Sequence, residues 1–426
     1  MEAIPYSLVP SQTIGFMTAK HSKTRAPSNL VGVIVLLFAI SFSPPSVRSA
    51  EPSSTVEGNT AFALDLYAQL KTTPGNLFFS PCSISTALAM TYAGAKGQTE
   101  KQMGQALHFD SDQRRVHSGF AKLQGQLGEA AKQKGIELSM ANALWAQRGH
   151  PFLPGFLQTA KADYNANINQ ADFVRAAESA RVEINQWVSQ RTKNRIQDIL
   201  PPGSLDANTR LILANAIYFK GIWETPFEKA ATSIQPFQLS ATKQADTPLM
   251  HHVDTIRYME NSDFQAVELP YRGGALSMVV LLPREIDGCG RLEDRLNPAL
   301  LSSTLEKMTR RAVDIFLPKF KLESSFDFHR TLVRMGMPDA FGPKADFSGM
   351  DGGAGQLYIS GVFHKAWGEV NEEGTEAAAA TAIQLTLGEP EPSSLVFRAD
   401  HPFIFFIRQP GSGSLLFLGR FVDPAQ

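Results

Sequence analysis

Cysteine, charge bias and linker composition are all scarce in this chain. Only two cysteines, Cys82 and Cys289, occur in 426 residues. They lie too far apart in sequence to be paired by inspection, and Cys82 falls inside an apolar helix pattern, so both are read as buried free thiols. Basic and acidic residues nearly cancel, 40 against 41, for a net charge of -1 and a pI near 6.8. That balance gives no electrostatic reason to expect nucleic acid or an anionic membrane as partner. No Asn-x-Ser/Thr acceptor occurs, so N-glycosylation is not expected. After residue 50 no long low-complexity linker divides the chain.

Catalytic signatures are missing as well. There is no Gly-x-Ser-x-Gly elbow, His-Glu-x-x-His helix or Walker loop. Ser240 and Lys243 satisfy Ser-x-x-Lys, but the accompanying Lys-Thr-Gly is absent, and the match is read as chance. His251 and His252 are adjacent and would face opposite ways on a strand. Nine scattered histidines and two distant cysteines show no ligand spacing. Neither an enzyme, a metal site nor a cofactor is expected.

With 43% hydrophobic and 19% charged residues, the chain can bury a large core. The N-terminus reads separately. Leu30 to Phe42 is an apolar run preceded by Lys20, Lys23 and Arg25 and followed by Pro44, Pro45, Ser49 and Ala50. This predicts a secretory signal peptide over residues 1–50 and a secreted protein, extracellular or periplasmic, with no membrane attachment after cleavage. An uncleaved signal anchor is the alternative, and a start at Met17 would shorten the basic region.

Further along, Phe62, Leu66 and Leu70 form a helix stripe ended by Pro74 and Gly75. Asn76 to Phe79 reads as a short strand, with Ser80 and Pro81 capping a helix through Tyr92. Thr99 and Gln102 suggest a capping box, and Arg114 to Gln133 a weakly amphipathic, solvated helix. Met140 to Gln147 is a strand, and Ile184, Trp187 and Val188 lie on a helix. Leu211 to Phe219, Leu276 to Leu282 and Val313 to Leu317 are buried strands, and Phe403 to Ile407 with Leu415 to Phe421 form a terminal pair.

The segment from His364 to Pro390 contradicts itself. Glu372, Glu373, Gly374, Thr375 and Glu376 run into Ala377, Ala378, Ala379 and Ala380, the composition of a helix start. From Thr381 the period becomes two: Thr381, Ile383, Leu385 and Leu387 alternate with Ala382, Gln384, Thr386 and Gly388. Extended backwards, that register puts Thr375, Ala377 and Ala379 on one face and Glu376 on the other. Glu389, Pro390, Glu391 and Pro392 then favour exposed chain. Small residues that fit loop, helix or strand suit a conformational switch.

The run EEGTEAAAAT, with HKA and EVN before it and Asp400, His401, Pro402 and Phe403 after it, closely resembles the serpin family. Asn76-Leu-Phe-Phe-Ser-Pro, the stretch LANAIYFKGIWETPFEK from Leu213 to Lys229, and Ala345 to Met350 carry the same resemblance, which covers roughly residues 55 to 424. It implies an α+β fold in a single domain, residues 51–426, with a large central mixed β-sheet, two smaller sheets, several helices and an exposed reactive-centre loop at about 372–396. It further implies an irreversible suicide-substrate inhibitor, expected as a monomer, whose partner is a serine protease held as a covalent acyl complex. A non-inhibitory carrier, chaperone or storage serpin is the alternative, although such members usually show a degraded hinge.

By the same resemblance, Glu372 to Thr381 form the hinge. Trp223 would sit under the top of the central sheet where the hinge enters, Ser80, Ser83, Asn215 and His364 near its middle, and Lys319 could pair with Glu372. Counting seventeen residues from Glu372 places the reactive bond between Gly388 and Glu389. Side-chain chemistry favours Leu387, because glycine offers a specificity pocket nothing to bury. Leu387 suits chymotrypsin-like or elastase-like enzymes, and trypsin-like or thrombin-like targets should be poor, since no Lys or Arg lies between Glu372 and Val396.

Overall fold

Ser80 shows how the local chemistry sets the elements. Its backbone is extended, its side chain accepts from the Ser83 amide at 3.2 Å, and Pro81 occupies the first turn, so a helix starts there and runs fully buried to Tyr92. In the computed structural model, residues 54–426 are described except 167, 354–356 and 376–394, and all of them belong to one compact unit.

The first half of the chain runs α1 (Ser54–Leu70), β1 (Leu77–Phe79), α2 (Pro81–Tyr92), α3 (Gly97–Ala106), α4 (Gln113–Ala131), β2 (Ile136–Gln147), α5 (Pro154–Tyr164), β3 (Ile168–Ala171), α6 (Phe173–Arg191) and β4 (Leu211–Ile222). The second half is strand-rich: β5 (Ser233–Ser240), β6 (Lys243–Glu260), β7 (Phe264–Pro270), β8 (Ser277–Pro283), α7 (Cys289–Arg295), α8 (Pro298–Lys307), β9 (Thr309–Pro318) and β10 (Phe320–Asp327). It closes with α9 (His329–Arg334), α10 (Ser348–Asp351), β11 (Ile359–Asn371), β12 (Gly374–Thr375), β13 (Val396–Arg398), β14 (Phe403–Arg408) and β15 (Leu415–Phe421).

Two mixed sheets result. The six-stranded one has the order β10-β11-β12-β4-β2-β3, with β11 also pairing β4 directly. The nine-stranded one runs β1-β15-β14-β8-β7-β6-β9-β13, with β5 on β6, so the two smaller sheets expected from sequence are continuous through the 18-residue β6. Period-two alternation divides the six-stranded sheet's faces. Leu211, Leu213, Ile217 and Phe219 of β4 join the main core, while Ile212, Ala214, Ala216 and Tyr218 lie with Phe173, Ile184 and Val188 of α6.

One local expectation is corrected. Thr99 does not cap α3, which starts earlier, at Gly97 behind Lys96. The Thr99 hydroxyl instead accepts the amide of Asp346 at 2.9 Å, so a tertiary partner takes the group a capping box would use locally. Cys82 and Cys289 are both free and buried, and burial pushes each thiol up to about 12.

Candidate functional site: hinge and sheet seam

β4 and β11 come from distant parts of the chain and pair in parallel from Leu211↔Ile359 to Tyr218↔Trp367. Above that last rung they separate, and β12 occupies the gap. Gly374 pairs with Ile222 and Thr375 with Gly221 on one side, Asn371 and Val370 on the other. The wedge fits because glycines stand on adjacent rungs of the two strands, Gly374 on β12 and Gly221 on β4. A Cβ on Gly374 would collide with the Gly221 carbonyl oxygen, and one on Gly221 would lie 2.6 Å from the Tyr271 ring and 2.7 Å from the Phe219 ring.

Thr375 is buried, and its hydroxyl shares a 2.7 Å hydrogen bond with Tyr271 Oη. Tyr271 stacks on Trp223 with centroids 4.6 Å apart. Trp223 in turn donates from Nε1 to the Asn371 carbonyl at 3.0 Å and from its amide to the Glu373 carbonyl at 2.8 Å. The Phe227 amide donates to the Glu372 carbonyl at 2.8 Å. The turn before β12 is thereby bonded to the chain that follows β4.

Two acidic residues anchor the turn. Glu372 is buried and accepts from Lys319 Nζ at 3.0 Å and from the Thr232 hydroxyl at 2.9 Å. Burial opposes its charge, but its own backbone amide, Lys319 and Thr232 outweigh that and hold the carboxyl below its ordinary range. Glu373 pairs with Lys229 at 2.8 Å nearer the surface.

Midway down the seam the core-side face turns polar. His364 of β11 accepts the Ser80 amide at Nε2, 3.1 Å away, and donates from Nδ1 to Asn215 Oδ1 on β4. The Asn215 amide donates to Ser83 Oγ at 2.7 Å and to Asn142 Oδ1 of β2. Complete burial drives His364 down to about 3, so it is neutral, and Phe326 and Phe328 stack beside it. Each buried polar atom of this cluster that joins the two strands has a partner.

Ser80, Ser83, Asn215 and His364 therefore meet in one cluster, and Trp223, Lys319, Glu372, Glu373, Gly374 and Thr375 in a second at the top of the seam. Glu376, Ala377, Ala378, Ala379, Ala380 and Thr381, and the candidate reactive-bond residues Leu387, Gly388 and Glu389, lie outside the described residues. Sequence reasoning missed Asn142, Tyr271 and Thr232. They sit in unremarkable strand and turn contexts, and only the three-dimensional pairing brings them to the seam.

Comparison with known proteins gives the family. Residues 57–424 match the family profile described as Serpin (serine protease inhibitor). The chain is 40% identical over 392 residues to Serpin B3 of Homo sapiens, covering 87% of this chain and 100% of that protein. It is 42% identical over 377 residues to the human leukocyte elastase inhibitor, covering 86% and 98%. Among solved structures, uncleaved ovalbumin superimposes with a TM-score of 0.79 at 32% identity over 87% of this chain and 100% of that one. Serpin48 of the insect Tenebrio molitor does so with 0.78 at 32% over 87% and 98%. The chain belongs to the serpin family, whose profile is described as serine protease inhibitor. Protease inhibition, with a protease as partner, is the general function these relatives support.

The same relatives correct the expectation for the N-terminus. Serpin B3 and leukocyte elastase inhibitor are matched over 98–100% of their own length by 86–87% of this chain, and the family profile begins only at residue 57. They are intracellular serpins without a signal peptide. The secreted localisation and the signal peptide over residues 1–50 therefore do not stand. The match to these relatives and to the family profile lends residues 1–50 no support as a leader.

Proposed function

We propose that this serpin inhibits a serine protease irreversibly, offering the loop of about residues 372–396 as a substrate and then inserting it between β4 and β11. The observation that carries the reading is β12. Its two residues already pair with the strands on both sides, so a released loop has only to extend an existing ladder, a form of strand addition to a sheet.

The register makes the alanines intelligible. Thr375 faces the core beside Tyr271, so in an extended ladder Ala377 and Ala379 follow it inward, small enough to enter between packed strands, while Glu376 stays on the opposite face. Roughly ten new ladder hydrogen bonds at about 1 kcal/mol net each, with burial of Ile383, Leu385 and Leu387, supply a driving force on the order of ten kcal/mol or more. The protease, acylated as with a substrate, is carried along with the loop. Displacement of its acyl bond by about 1 Å can slow hydrolysis a hundredfold.

Cleavage is assigned after Leu387, with Gly388 as the neighbouring choice and Glu389 on the leaving side. An apolar residue at that point suits chymotrypsin-like or elastase-like enzymes, and one relative is itself named leukocyte elastase inhibitor. Incubation of the full chain with chymotrypsin or elastase should leave an adduct that survives boiling in detergent. It should also release a C-terminal peptide whose mass begins at Gly388; a start at Glu389 moves the bond to Gly388. Two fragments with no adduct, for every protease that cuts the loop, would replace inhibition by a carrier role. Rapid stoichiometric inhibition of trypsin would overturn the specificity.

A further inference from the structure

On the inhibitory reading, β4 must part from β11, and one side chain lies across that seam from the α6 side. Tyr218 of β4 and Trp367 of β11 pair in register at the last closed rung below β12, with ring centroids 5.8 Å apart. The chain after α6 crosses over them. Lys193 and Asn194 both take left-handed backbone, with φ of 52° and 62°. The turn is held by the Ile196 amide on Thr192 Oγ1 at 3.2 Å and by the Ser189 hydroxyl on Asn194 Oδ1 at 3.0 Å. Ile196 and Ile199 are buried among the α6-side residues, and Lys365 of β11 donates to the Gln197 carbonyl at 2.8 Å.

This turn delivers the Arg195 guanidinium to 6.0 Å from the Tyr218 ring centroid and 5.6 Å from that of Trp367. We propose that Arg195 is a clasp across the seam, and that its release sets the rate at which the hinge zips into the sheet. The geometry supplies the reason. An intercalating strand moves β4 and β11 from one strand spacing, about 4.8 Å, to two. A cation attracts a ring within about 6 Å of its centroid, so Arg195 at its present height cannot keep both. In the register of β12, position 378 would arrive opposite Tyr218, only a few rungs beyond Thr375. The clasp therefore opposes an early step of insertion.

Lys321 provides the contrast. Its Nζ lies 5.5 Å from the same Trp367 ring, but it belongs to β10, which pairs with β11 along eight rungs and stays on the same side of the seam.

The proposal rests on the insertion reading, and the probe is a synthetic peptide with the sequence of residues 375–387, TEAAAATAIQLTL, added to the full, uncleaved chain. Uptake is followed as the rate of conversion to a form of higher melting temperature. Arg195→Ala is expected to take up the peptide about five- to thirtyfold faster, the factor that loss of two partly exposed ring contacts implies. Arg195→Lys, which keeps the cation, should stay within about threefold of the unaltered protein. Lys321→Ala should leave the rate unchanged. After loop cleavage, when the rings are already parted, Arg195→Ala should no longer lower the melting temperature. Uptake by Arg195→Ala at the unaltered rate, equal acceleration by Lys321→Ala, or equal destabilisation of the cleaved form would overturn the clasp and leave insertion standing. Absence of uptake by every form, the unaltered protein included, would remove the insertion reading and the clasp with it.

Discussion

The seam between β4 and β11 and the hairpin of β14 and β15 are both buried strand pairs, yet they are built on opposite plans. The hairpin is local and antiparallel, and every residue of both strands is buried. Its face is aromatic: Phe417 stacks on Phe78 with centroids 5.0 Å apart and meets Phe219 at 5.8 Å. The seam joins residues such as Asn215 and His364, 149 positions apart, in parallel. Under it lie Ser80, Ser83 and Asn142 as well as hydrocarbon, and above it lie Ala214 and Ala216. Two interdigitated aromatic faces part only with loss of packing that nothing replaces. The seam has polar groups beneath it and, above, alanines beside the single Tyr218–Trp367 pair, and on the proposed reading it exchanges its ladder for the inserted strand's.

The sharpest way to break this contrast is Thr375→Arg. The position is buried against Tyr271, so a guanidinium there would be desolvated at the opening rung of insertion. Proteolysis of the loop is expected to continue while the detergent-stable adduct disappears. An undiminished adduct yield on a denaturing gel would show that the inserted register is wrong. On the other side of the comparison, Phe417→Ala should destabilise the whole molecule by about 3–5 kcal/mol in denaturant unfolding of the loop-cleaved form. A seam substitution such as Arg195→Ala should leave that form untouched.

Legibility from sequence divided along the same line. Strands whose period and composition are local were readable to within a few residues: Leu415–Phe421 was bounded by its own apolar run, and the expected Leu211 to Phe219 lies inside the observed Leu211–Ile222. The cap at Ser80 was readable because a serine before a proline carries the chemistry of a helix start in itself. Tyr271 was not readable as a hinge contact, since nothing in Leu-Pro-Tyr-Arg-Gly-Gly states that its hydroxyl meets Thr375 from 104 residues away. Arg195 was equally silent, because its role comes from a left-handed turn over two strands that are far apart in the chain.

A smaller effect sharpens the polar half of the comparison. His364 titrates near 6.5 in the unfolded chain but only near 3 in the fold, because burial disfavours its charged form. Between those values the unfolded chain binds a proton that the native one refuses. Stability is therefore complete above about pH 6.5 and declines as pH falls toward 3, by up to about 1.4 kcal/mol per unit from this group. His252, lowered to about 4 by burial against Phe227, adds in the same direction. Unfolding midpoints measured at pH 5 and pH 7 should differ less in His364→Gln than in the unaltered protein. An equal difference would detach the seam from the pH dependence.

The least effect separates the two ion pairs at the hinge. Glu372 is buried and bonded by Lys319 and Thr232 together, whereas Glu373 and Lys229 meet nearer water, with the lysine 68% exposed. Solvent screens the second pair and leaves the first with a desolvated carboxylate to satisfy. Lys319→Met should therefore loosen the uncleaved form by about 1 kcal/mol. That change should fade as pH falls below the ordinary carboxylate range, because the depressed Glu372 carboxyl keeps its charge, and with it the pairing, until it titrates there. Lys229→Met should leave the melting temperature unmoved. If the two substitutions prove equal at neutral pH, the anchoring of the hinge lies in the backbone bonds from Trp223 and Phe227 rather than in Glu372. In that case Trp223→Phe, which removes the Nε1 donor to the Asn371 carbonyl, should destabilise the uncleaved form more than either lysine change.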